Sequence, residues 1–417
     1  MTKNKSLVHI VFLWFFSQKL VSFFQHKNLV FLYFICACSN QSYNQPFSAT
    51  YHNVIDLDAP RSEAIKASTL IKMVKTVILE ENRQSLIGNV NKVQMFDEHL
   101  YVLDRSVANS LFVFDLDGKF IRRIGRIGRG PGEYARIADF TFDRDNKILY
   151  VLGDFRVIHK YRTDGTYIEQ FNINVNQTNV HAIQYYDNAL FAKVQPWNTS
   201  VDDCLLMKID PKTGNVLGKY FKPSQHNKGW NEADTKASIF YYRLCGTPVY
   251  GDSFTDVFIS LDGMVPVFSI SSKNLATNKD IETIKQKKNI SYPEYLSAFI
   301  SLPKVHAISA YIEHKDFIQF SYWHGKVFFV LCDLKTGLIH NGIENDLLYS
   351  EGGNLLNLRY LDGKGAYEII QPNAMEEFVK KIKDNELVSN LDKLDELKKL
   401  TEEANPVIFY YEFKDAE

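Results

Sequence analysis

Short runs of alternating hydrophobic and polar residues recur along most of this chain, and turn-forming residues separate them. Leu111–Ile124 has the pattern of a strand, an Asp-Gly turn and a second strand, and Val157–Ile173 repeats it. Alternation with a period of two predicts β-strands, and Asp-Gly between two such runs is a strong hairpin signal, because glycine accepts the positive φ of a tight turn. The pattern therefore predicts a repeated antiparallel sheet.

The hairpins group into units of four predicted strands, and a new unit begins about every 40 to 50 residues, a period typical of β-propeller blades. Five such units follow one another along the chain. They span Asn89–Ile124, Ala138–Ile173, Val180–Phe221, Ile239–Ser271 and Ala307–Asn341. Each unit is predicted to form one blade of a radial arrangement of sheets.

The sixth unit is incomplete in sequence order. Leu355–Leu361 and Tyr367–Ile370 precede a helical pattern, and one more strand follows at Pro406–Phe413. Met73–Glu80 is a predicted strand that stands before the first unit, and pairing it with Pro406–Phe413 would close the ring and remove open sheet edges. We therefore predict an all-β fold, a six-bladed β-propeller of four-stranded antiparallel blades in one domain, 71–417, closed by an N-terminal strand.

The helical pattern, residues 374–403, is predicted to be a C-terminal insertion in the last blade. Its hydrophobic residues are spaced three and four apart, and Lys and Glu occupy most other positions, as in amphipathic helices. Asp384 and Asn385 divide the pattern into two helices. We expect the insertion to pack on the rim of the propeller, and the alternative is a lid or a partner-docking face.

The N-terminal segment has the layout of a signal peptide, which we place at residues 1–38. It contains no Asp or Glu, and the hydrophobic run Leu29–Ile35 follows Lys27, as in export signals. The sequence Ile35-Cys36-Ala37-Cys38 resembles the lipobox of bacterial lipoproteins. Cys38 is therefore the predicted lipidated residue.

Residues 39–70 are predicted to be a polar tether between the lipid and the folded body. This arrangement implies export to the cell envelope and attachment to the outer membrane, on its periplasmic or its outer surface, through the lipid. The alternative is a transmembrane anchor. It is less favoured because Gln25, His26 and Lys27 interrupt the hydrophobic segment, so that neither half reaches the roughly 20 residues of a spanning helix.

Composition narrows the classes of partner. The 417 residues include 48 Lys and Arg against 49 Asp and Glu, a net charge of -1, so no global positive field favours nucleic acid, and no nucleic-acid partner is expected. Three cysteines, Cys204, Cys245 and Cys332, follow the leader. Their number and wide spacing do not fit a disulfide framework or a metal knuckle, and we predict that they are buried as small hydrophobic residues.

The glycine-rich segment Gly125–Gly132 is a candidate anion site. Backbone N–H groups beside Arg126 and Arg129 could hold a phosphate, sulfate or carboxylate. The segment lacks the strand, GxxxxGK[ST] and helix of a nucleotide P-loop. The alternative interpretation is structural, because the chain must cross here from the outside of one blade to the axis of the next, and glycines suit that crossing.

Aromatic residues in polar loops are the second set of candidates. Trp197 and Trp230 lie in such loops, where an exposed ring could stack on a sugar or anchor a peptide. Tyr241, Tyr242 and Trp323 are further candidates. The alternative for all of them is packing between blades.

Several stretches together resemble the six-bladed β-propeller lipoproteins of Bacteroidetes, a family of propellers similar to NHL-repeat propellers. The matching stretches are Leu100–Asp104, Leu111–Gly118, Ile124–Tyr134, Asp139–Gly165, Gly337–Asp346 and Asn405–Ile408. The resemblance covers nearly the whole chain after the leader. It implies the propeller fold, a lipid anchor and an exported location, and it brings no catalytic residues.

Signatures of enzymes are scarce, since the chain contains neither HExxH nor GxSxG. Some six-bladed propellers are metal-dependent lactonases that gather polar residues at the axis. The corresponding candidates here are Asn91, Asp139, Asp154, His181 and Asp252. We therefore predict an exported binding or interaction module of the cell envelope without a resident cofactor, whose partner is a glycan, a peptide or an envelope protein. The alternative is a metal-dependent hydrolase of the lactonase type, with Ca²⁺ in the axial funnel.

Overall fold

The computed structural model describes most of the chain after Asn53. The described residues are 54–59, 64–65, 71–154, 156–175, 178–196, 204–230, 240–243, 246–252, 254–286, 294, 297–298, 300–345, 359–360, 365–384 and 392–414. The predicted signal peptide with Cys38, most of the predicted tether, Trp197 and Cys245 lie outside these ranges.

The described chain is dominated by short strands. In chain order the strands are β1 (Val54–Asp56), β2 (Ala64–Ile65), β3 (Ile71–Ile78), β4 (Lys92–Phe96), β5 (His99–Asp104), β6 (Ser110–Asp115), β7 (Phe120–Ile124), β8 (Arg126–Ile127), β9 (Glu133–Tyr134), β10 (Asp139–Asp143), β11 (Ile148–Leu152), β12 (Val157–Arg162), β13 (Tyr167–Asn172), β14 (Thr178–Tyr186), β15 (Ala189–Pro196), β16 (Leu206–Ile209), β17 (Val216–Tyr220), β18 (Phe240–Tyr242), β19 (Pro248–Tyr250), β20 (Val257–Ser260), β21 (Val265–Ser271), β22 (His306–Glu313), β23 (Phe317–Trp323), β24 (Val327–Asp333), β25 (Ile339–Gly342), β26 (Glu344–Asn345), β27 (Arg359–Tyr360), β28 (Gly365–Ile370) and β29 (Val407–Phe413).

Six antiparallel sheets form the blades of a six-bladed propeller, as predicted, and in five of them the four strands follow one another along the chain. Blades 1 to 5 are β4–β7, β10–β13, β14–β17, β18–β21 and β22–β25, and blade 6 consists of β27, β28, β29 and β3. The first strand of each blade is the inner one. The inner strand β10 is buried at all five positions, whereas the outer strand β13 is buried at none.

Neighbouring blades hold the hydrophobic cores between them. In one core, Leu111 and Val113 of blade 1 pack with Phe140 and Leu149 of blade 2. Because successive residues of a strand point to opposite faces of its sheet, a blade with hydrophobic residues on both faces needs a neighbour on each side. A ring of blades meets this need.

The ring is closed by the N-terminal strand, which confirms the prediction. Strand β3 pairs antiparallel with β29, with Thr76 opposite Phe409 and Val74 opposite Tyr411. The fourth strand of blade 6 therefore comes from the start of the propeller sequence. Its first three strands come from the end.

The repeated Asp-Gly turns join the third and fourth strands of blades. At the turn of blade 1, Asp115 Oδ1 accepts hydrogen bonds from the N–H of Asp117 (3.0 Å) and of Lys119 (2.8 Å). Gly118 lies in the same turn with φ +92°, a backbone conformation that residues other than glycine rarely adopt. The turn chemistry read from the sequence thus sets the outer hairpin.

The segment predicted as a tether, 39–70, contains two strands that pair with the propeller. β1 pairs in parallel with β21, the outer strand of blade 4, and β2 pairs in parallel with β26. Ile55 and Leu57 are buried, and Asn341 Nδ2 donates a hydrogen bond to Leu57 O (3.0 Å). The folded body therefore includes residues upstream of 71, and we call the described residues 54–59 and 64–65 the N-terminal strap.

Helices are few and short in the described part of the chain. They are α1 (Pro223–His226), α2 (Asn278–Lys285), the 3₁₀ turn Pro372–Ala374, α3 (Met375–Lys383) and α4 (Leu394–Leu397). Met375 and Phe378 of α3 pack with Phe409 of blade 6, so α3 of the predicted insertion lies on the propeller. None of the described helices combines the length and the hydrophobicity needed to cross a membrane. Cys204 and Cys332 are buried, as predicted.

Candidate functional site

The inner strands of blades 1, 2 and 3 are tied together around the axis by side chains. Asp139 Oδ1 accepts a hydrogen bond from Lys92 Nζ (2.7 Å), and Asp139 Oδ2 accepts one from Ile183 N (2.8 Å). Two residues further along β10, Thr141 Oγ1 accepts a hydrogen bond from Tyr185 N (3.0 Å). The axis therefore has a polar lining that is fixed by strands rather than by loops.

A cavity of about 540 Å³ opens at the end of the axis where the inner strands finish. This volume lies within the range of about 300–1,000 Å³ that is usual for small-molecule sites. Strands of blades 1 to 4 and the turns that follow them line it. The lining residues are Gln94, Thr141, Phe142, Arg144, Asp145, Gln184, Tyr185, Tyr186, Asp187, Asn188, Tyr242, Gly246, Pro248 and Asp262. We call this cavity the axial pocket.

A three-residue network joins three blades in the axial pocket. Gln94 Nε2 of blade 1 donates to the Tyr242 hydroxyl (2.9 Å), and this hydroxyl donates to Gln184 Oε1 of blade 3 (2.6 Å). Burial raises the pKa of Tyr242 to about 12. The phenol of blade 4 is therefore neutral at physiological pH and can act as a donor.

Two of the acids suggested as metal ligands, Asp139 and Asp252, form ion pairs with lysines. Asp139 pairs with Lys92, and Asp252 pairs with Lys193 and accepts a hydrogen bond from the Tyr250 hydroxyl (2.9 Å). Among the described residues, no group of three or more His, Cys, Asp or Glu side chains comes together as a metal site. The structure thus does not assemble the five candidates into a metal centre.

His181 lies at an irregularity of the inner strand of blade 3. The register of β14 with β15 shifts between Val180 and Ala182, so that His181 is the extra residue of a β-bulge. Burial, and then the charge of Lys193, lower the pKa of His181. The ring is therefore neutral near pH 7.

The glycine-rich segment does hold an anion, but the anion belongs to the chain itself. Glu133 Oε2 accepts a hydrogen bond from Gly130 N (2.8 Å), and Glu133 Oε1 accepts one from Arg126 Nε (2.6 Å). These two bonds lower the pKa of Glu133. A Cβ on Gly128 would lie 2.0 Å from Glu133 Oε2, so a side chain there would displace this carboxylate. Arg126 and Arg129 are exposed, outside the axial pocket.

Trp230 is part of the core, which corrects the expectation of an exposed ring. Its side chain is 2% exposed and packs against Phe254, with ring centroids 5.0 Å apart. Ile281 and Ile284 of α2 belong to the same cluster. The polar neighbours of Trp230 in sequence did not reveal that a helix covers it.

Of the aromatic candidates, the structure brings Tyr242 into the axial pocket. Sequence reasoning missed Gln94, Gln184 and the turn aspartates. A usable signal was present for the glutamines, because each is a polar residue inside a predicted inner strand, where a hydrophobic residue is usual.

A family model described as a domain of unknown function, DUF4934, matches residues 52–412. The chain belongs to this family. The range matched by DUF4934 begins before the N-terminal strap, so the strap is a family feature as well as a structural one. No curated protein sequence matches the chain.

A crystal structure from Bacteroides fragilis, of a candidate exported protein, is similar to this DUF4934 chain. The two share 17% sequence identity with a TM-score of 0.66, over 87% of this chain and 100% of that chain. The expected resemblance to six-bladed propellers of Bacteroidetes is thereby confirmed. U3-55K (TM-score 0.42, 9% identity, 83% and 99% coverage) and BamB of Moraxella catarrhalis (0.34, 9%, 64% and 63%) are too distant to support an argument.

Proposed function

We propose that this protein is an exported, lipid-anchored β-propeller that binds a small polar ligand in its axial pocket as a recognition module of the cell envelope. The ligand is a unit of a glycan or of a peptide. The observation that carries the proposal is the axial pocket itself, a cavity of about 540 Å³ with convergent amide, hydroxyl and aromatic groups from blades 1 to 4. Such convergence on one concave site is typical of ligand binding.

The rigidity of the pocket floor supports a binding role. Gln94, Gln184 and Tyr242 are held by one another through bonds of 2.9 and 2.6 Å. Side chains fixed before binding lose little conformational entropy when a ligand arrives. A pocket built in this way is suited to selective recognition.

Two features support export and anchoring. The leader ends in a lipobox-like Ile35–Cys38, and a structural relative in Bacteroides fragilis is itself assigned as a candidate exported protein. These features support our proposal that the protein belongs to the cell envelope and is attached to the outer membrane through Cys38.

A direct test of ligand binding uses the propeller purified without its leader. It is screened against arrays of short oligosaccharides and peptides, and each hit is measured by calorimetry on Tyr242→Phe and on Tyr101→Phe. Tyr101 is a matched control, because its hydroxyl donates to Thr163 O (3.0 Å) in blade 2, away from the pocket. We expect Tyr242→Phe alone to weaken binding. Arrays without any hit, or hits that both variants bind unchanged, would contradict the proposal.

The anchor is tested by expressing the full chain with labelled fatty acid. Cys38→Ala is expected to abolish the label and release the protein from the membrane fraction. The neighbouring Cys36→Ala is the matched control and should keep both. Label that survives in Cys38→Ala would refute lipidation at this residue.

A metal-dependent hydrolase is the second candidate, resting on the fold alone. Elemental analysis of the purified protein, together with lactone hydrolysis assays with and without Ca²⁺, decides between it and a binding module. Stoichiometric metal and metal-dependent turnover would favour the hydrolase.

A further inference from the structure

The hydrogen bonds in the axial pocket have a defined direction. Gln184 Nε2 donates to Tyr185 O (2.9 Å), so Gln184 Oε1 is the atom that faces the Tyr242 hydroxyl (2.6 Å). A carbonyl oxygen can only accept, so the single proton of Tyr242 is used in this bond. The bond of 2.9 Å to Gln94 must therefore run from Gln94 Nε2 to the tyrosine oxygen.

This direction leaves Gln94 Oε1 as an acceptor that has no donor among the described side chains and backbone groups. Gln94 is 7% exposed and lines the pocket, and no described residue donates a hydrogen bond to its Oε1. Gln94 Oε1 is open to the pocket rather than sealed from solvent, so a ligand that enters can donate a hydrogen bond to it. The floor of the pocket is therefore complementary to a ligand that brings a hydrogen-bond donor.

The rim of the pocket adds negative charge from three blades. Asp145, Asp187 and Asp262 lie on the turns β10–β11, β14–β15 and β20–β21 and are exposed. Within the described part of the chain, none of the three carboxylates has an ion-pair or hydrogen-bond partner. Their charge is available to a ligand.

The arginine of the lining, Arg144, offsets only part of this charge, because the lining holds three aspartates. Arg144 Nη2 donates to Met95 O (3.2 Å), and the guanidinium lies 5.3 Å from the centroid of the Phe96 ring. Arg144 thus faces the blade 1 side of the pocket. The pocket as a whole carries more acidic than basic groups.

We infer that the ligand of the axial pocket presents a primary ammonium group. This inference rests on the proposed function and specifies its ligand. An ammonium carries three donors and a positive charge, which match the Gln94 acceptor and the aspartates, and the tyrosine rings of the pocket attract cations. A metal ion does not fit equally well, because the described acids do not form a metal-holding group.

An ammonium of this kind can come from an amino sugar in a glycan or from a lysine side chain in a peptide. Matched probes separate the two sources. One pair is the glucosamine disaccharide and its N-acetylated form, and the other is a lysine tripeptide with blocked ends and its Nε-acetylated form. Within each pair, acetylation removes the charge.

Calorimetry with these four probes tests the inference. We expect one amine probe to bind, its acetylated partner to bind about tenfold more weakly, and the variant Asp145→Asn/Asp187→Asn/Asp262→Asn to lose a similar factor. Asparagine tolerates the positive φ of residue 187, so the turn is preserved. Asp117→Asn, on the outer hairpin of blade 1, is the control and should bind like the wild type.

Equal binding of an amine and its acetylated form would overturn the inference. So would a failure of both amines while a neutral array member binds in a Tyr242-dependent way. In either case the proposed binding function stands with another ligand class. If neither the probes nor the arrays give binding, the proposed function itself fails.

Discussion

Glu368 is a buried carboxyl group in blade 6 whose protonation should govern the pH dependence of stability. It is 2% exposed, and the Tyr411 hydroxyl lies 2.5 Å from its Oε2. Its Oε1 has no hydrogen-bond partner among the described residues. Burial raises the pKa of Glu368 from 4.5 to about 8, against the lowering effect of Tyr411. The folded protein therefore holds this proton at neutral pH.

The direction of the pH dependence follows from the linkage between proton binding by Glu368 and folding. Between about pH 4.5 and 8 the folded state keeps the proton and the unfolded state releases it, so stability falls as pH rises through this window. Each unit of pKa is worth about 1.4 kcal/mol. A rise from 4.5 to about 8 thus corresponds to about 5 kcal/mol lost between pH 4.5 and 8.

The test compares wild type with Glu368→Gln by urea and thermal unfolding from pH 5 to pH 8.5. Glutamine does not ionise, so the variant should gain stability relative to wild type by about 4 kcal/mol between pH 5 and pH 8.5, or on the order of 10 °C in midpoint. The buried amide of the variant changes stability by an amount that does not depend on pH, so it does not affect the difference in pH dependence between the two proteins. The exposed Glu403→Gln is the control. If wild type and Glu368→Gln changed in parallel with pH, the reasoning would be refuted.

Three further predictions concern the architecture. Deleting residues 409–417 removes buried Phe409 and Tyr411 from the closing strand, and this should lower the free energy of unfolding by about 3–6 kcal/mol. An unchanged melting midpoint would exclude closure of the ring by β3 and β29. Leu57→Ala in the strap should destabilise the protein by about 2–5 kcal/mol. Val54 is 57% exposed, so Val54→Ala should change stability by less than about 0.5 kcal/mol. Equal effects of the two variants in urea unfolding would mean that the strap is not part of the folded body. Trp230→Ala should lose about 3–5 kcal/mol without changing ligand affinity at temperatures where it stays folded; weaker binding in calorimetry would return Trp230 to the site.

The blades were predictable because their turns are encoded locally. Asp115 and Gly118 form the turn with their own side chain and backbone, and similar chemistry recurs in other blades. The closing strand was also predictable, since an incomplete sixth blade requires a strand from elsewhere. Both inferences need only local pattern and the geometry of a ring.

Contacts between distant parts of the chain were not predictable in the same way. β1 has three residues and pairs with a strand more than 200 positions later, at Ser269–Ser271, and a run of three residues is too short to show the alternation of a strand. The pocket network is similar, because Gln94, Gln184 and Tyr242 come from three blades. The prediction that the Trp230 ring is exposed was wrong because α2, which is distant in sequence, buries the ring. The polar residues next to Trp230 in sequence gave no sign of this contact.

The floor and the rim of the axial pocket differ in what supports them, and this difference has a functional consequence. Gln94 and Gln184 lie on inner strands within the ring, so their backbone positions change only if blades separate, and the pairing of β3 with β29 opposes that. Asp145 and Asp187 lie on exposed turns, where substitution is tolerated. Changes at the rim should therefore alter which ligand is bound while the fold persists, whereas opening the ring should abolish binding of every ligand together.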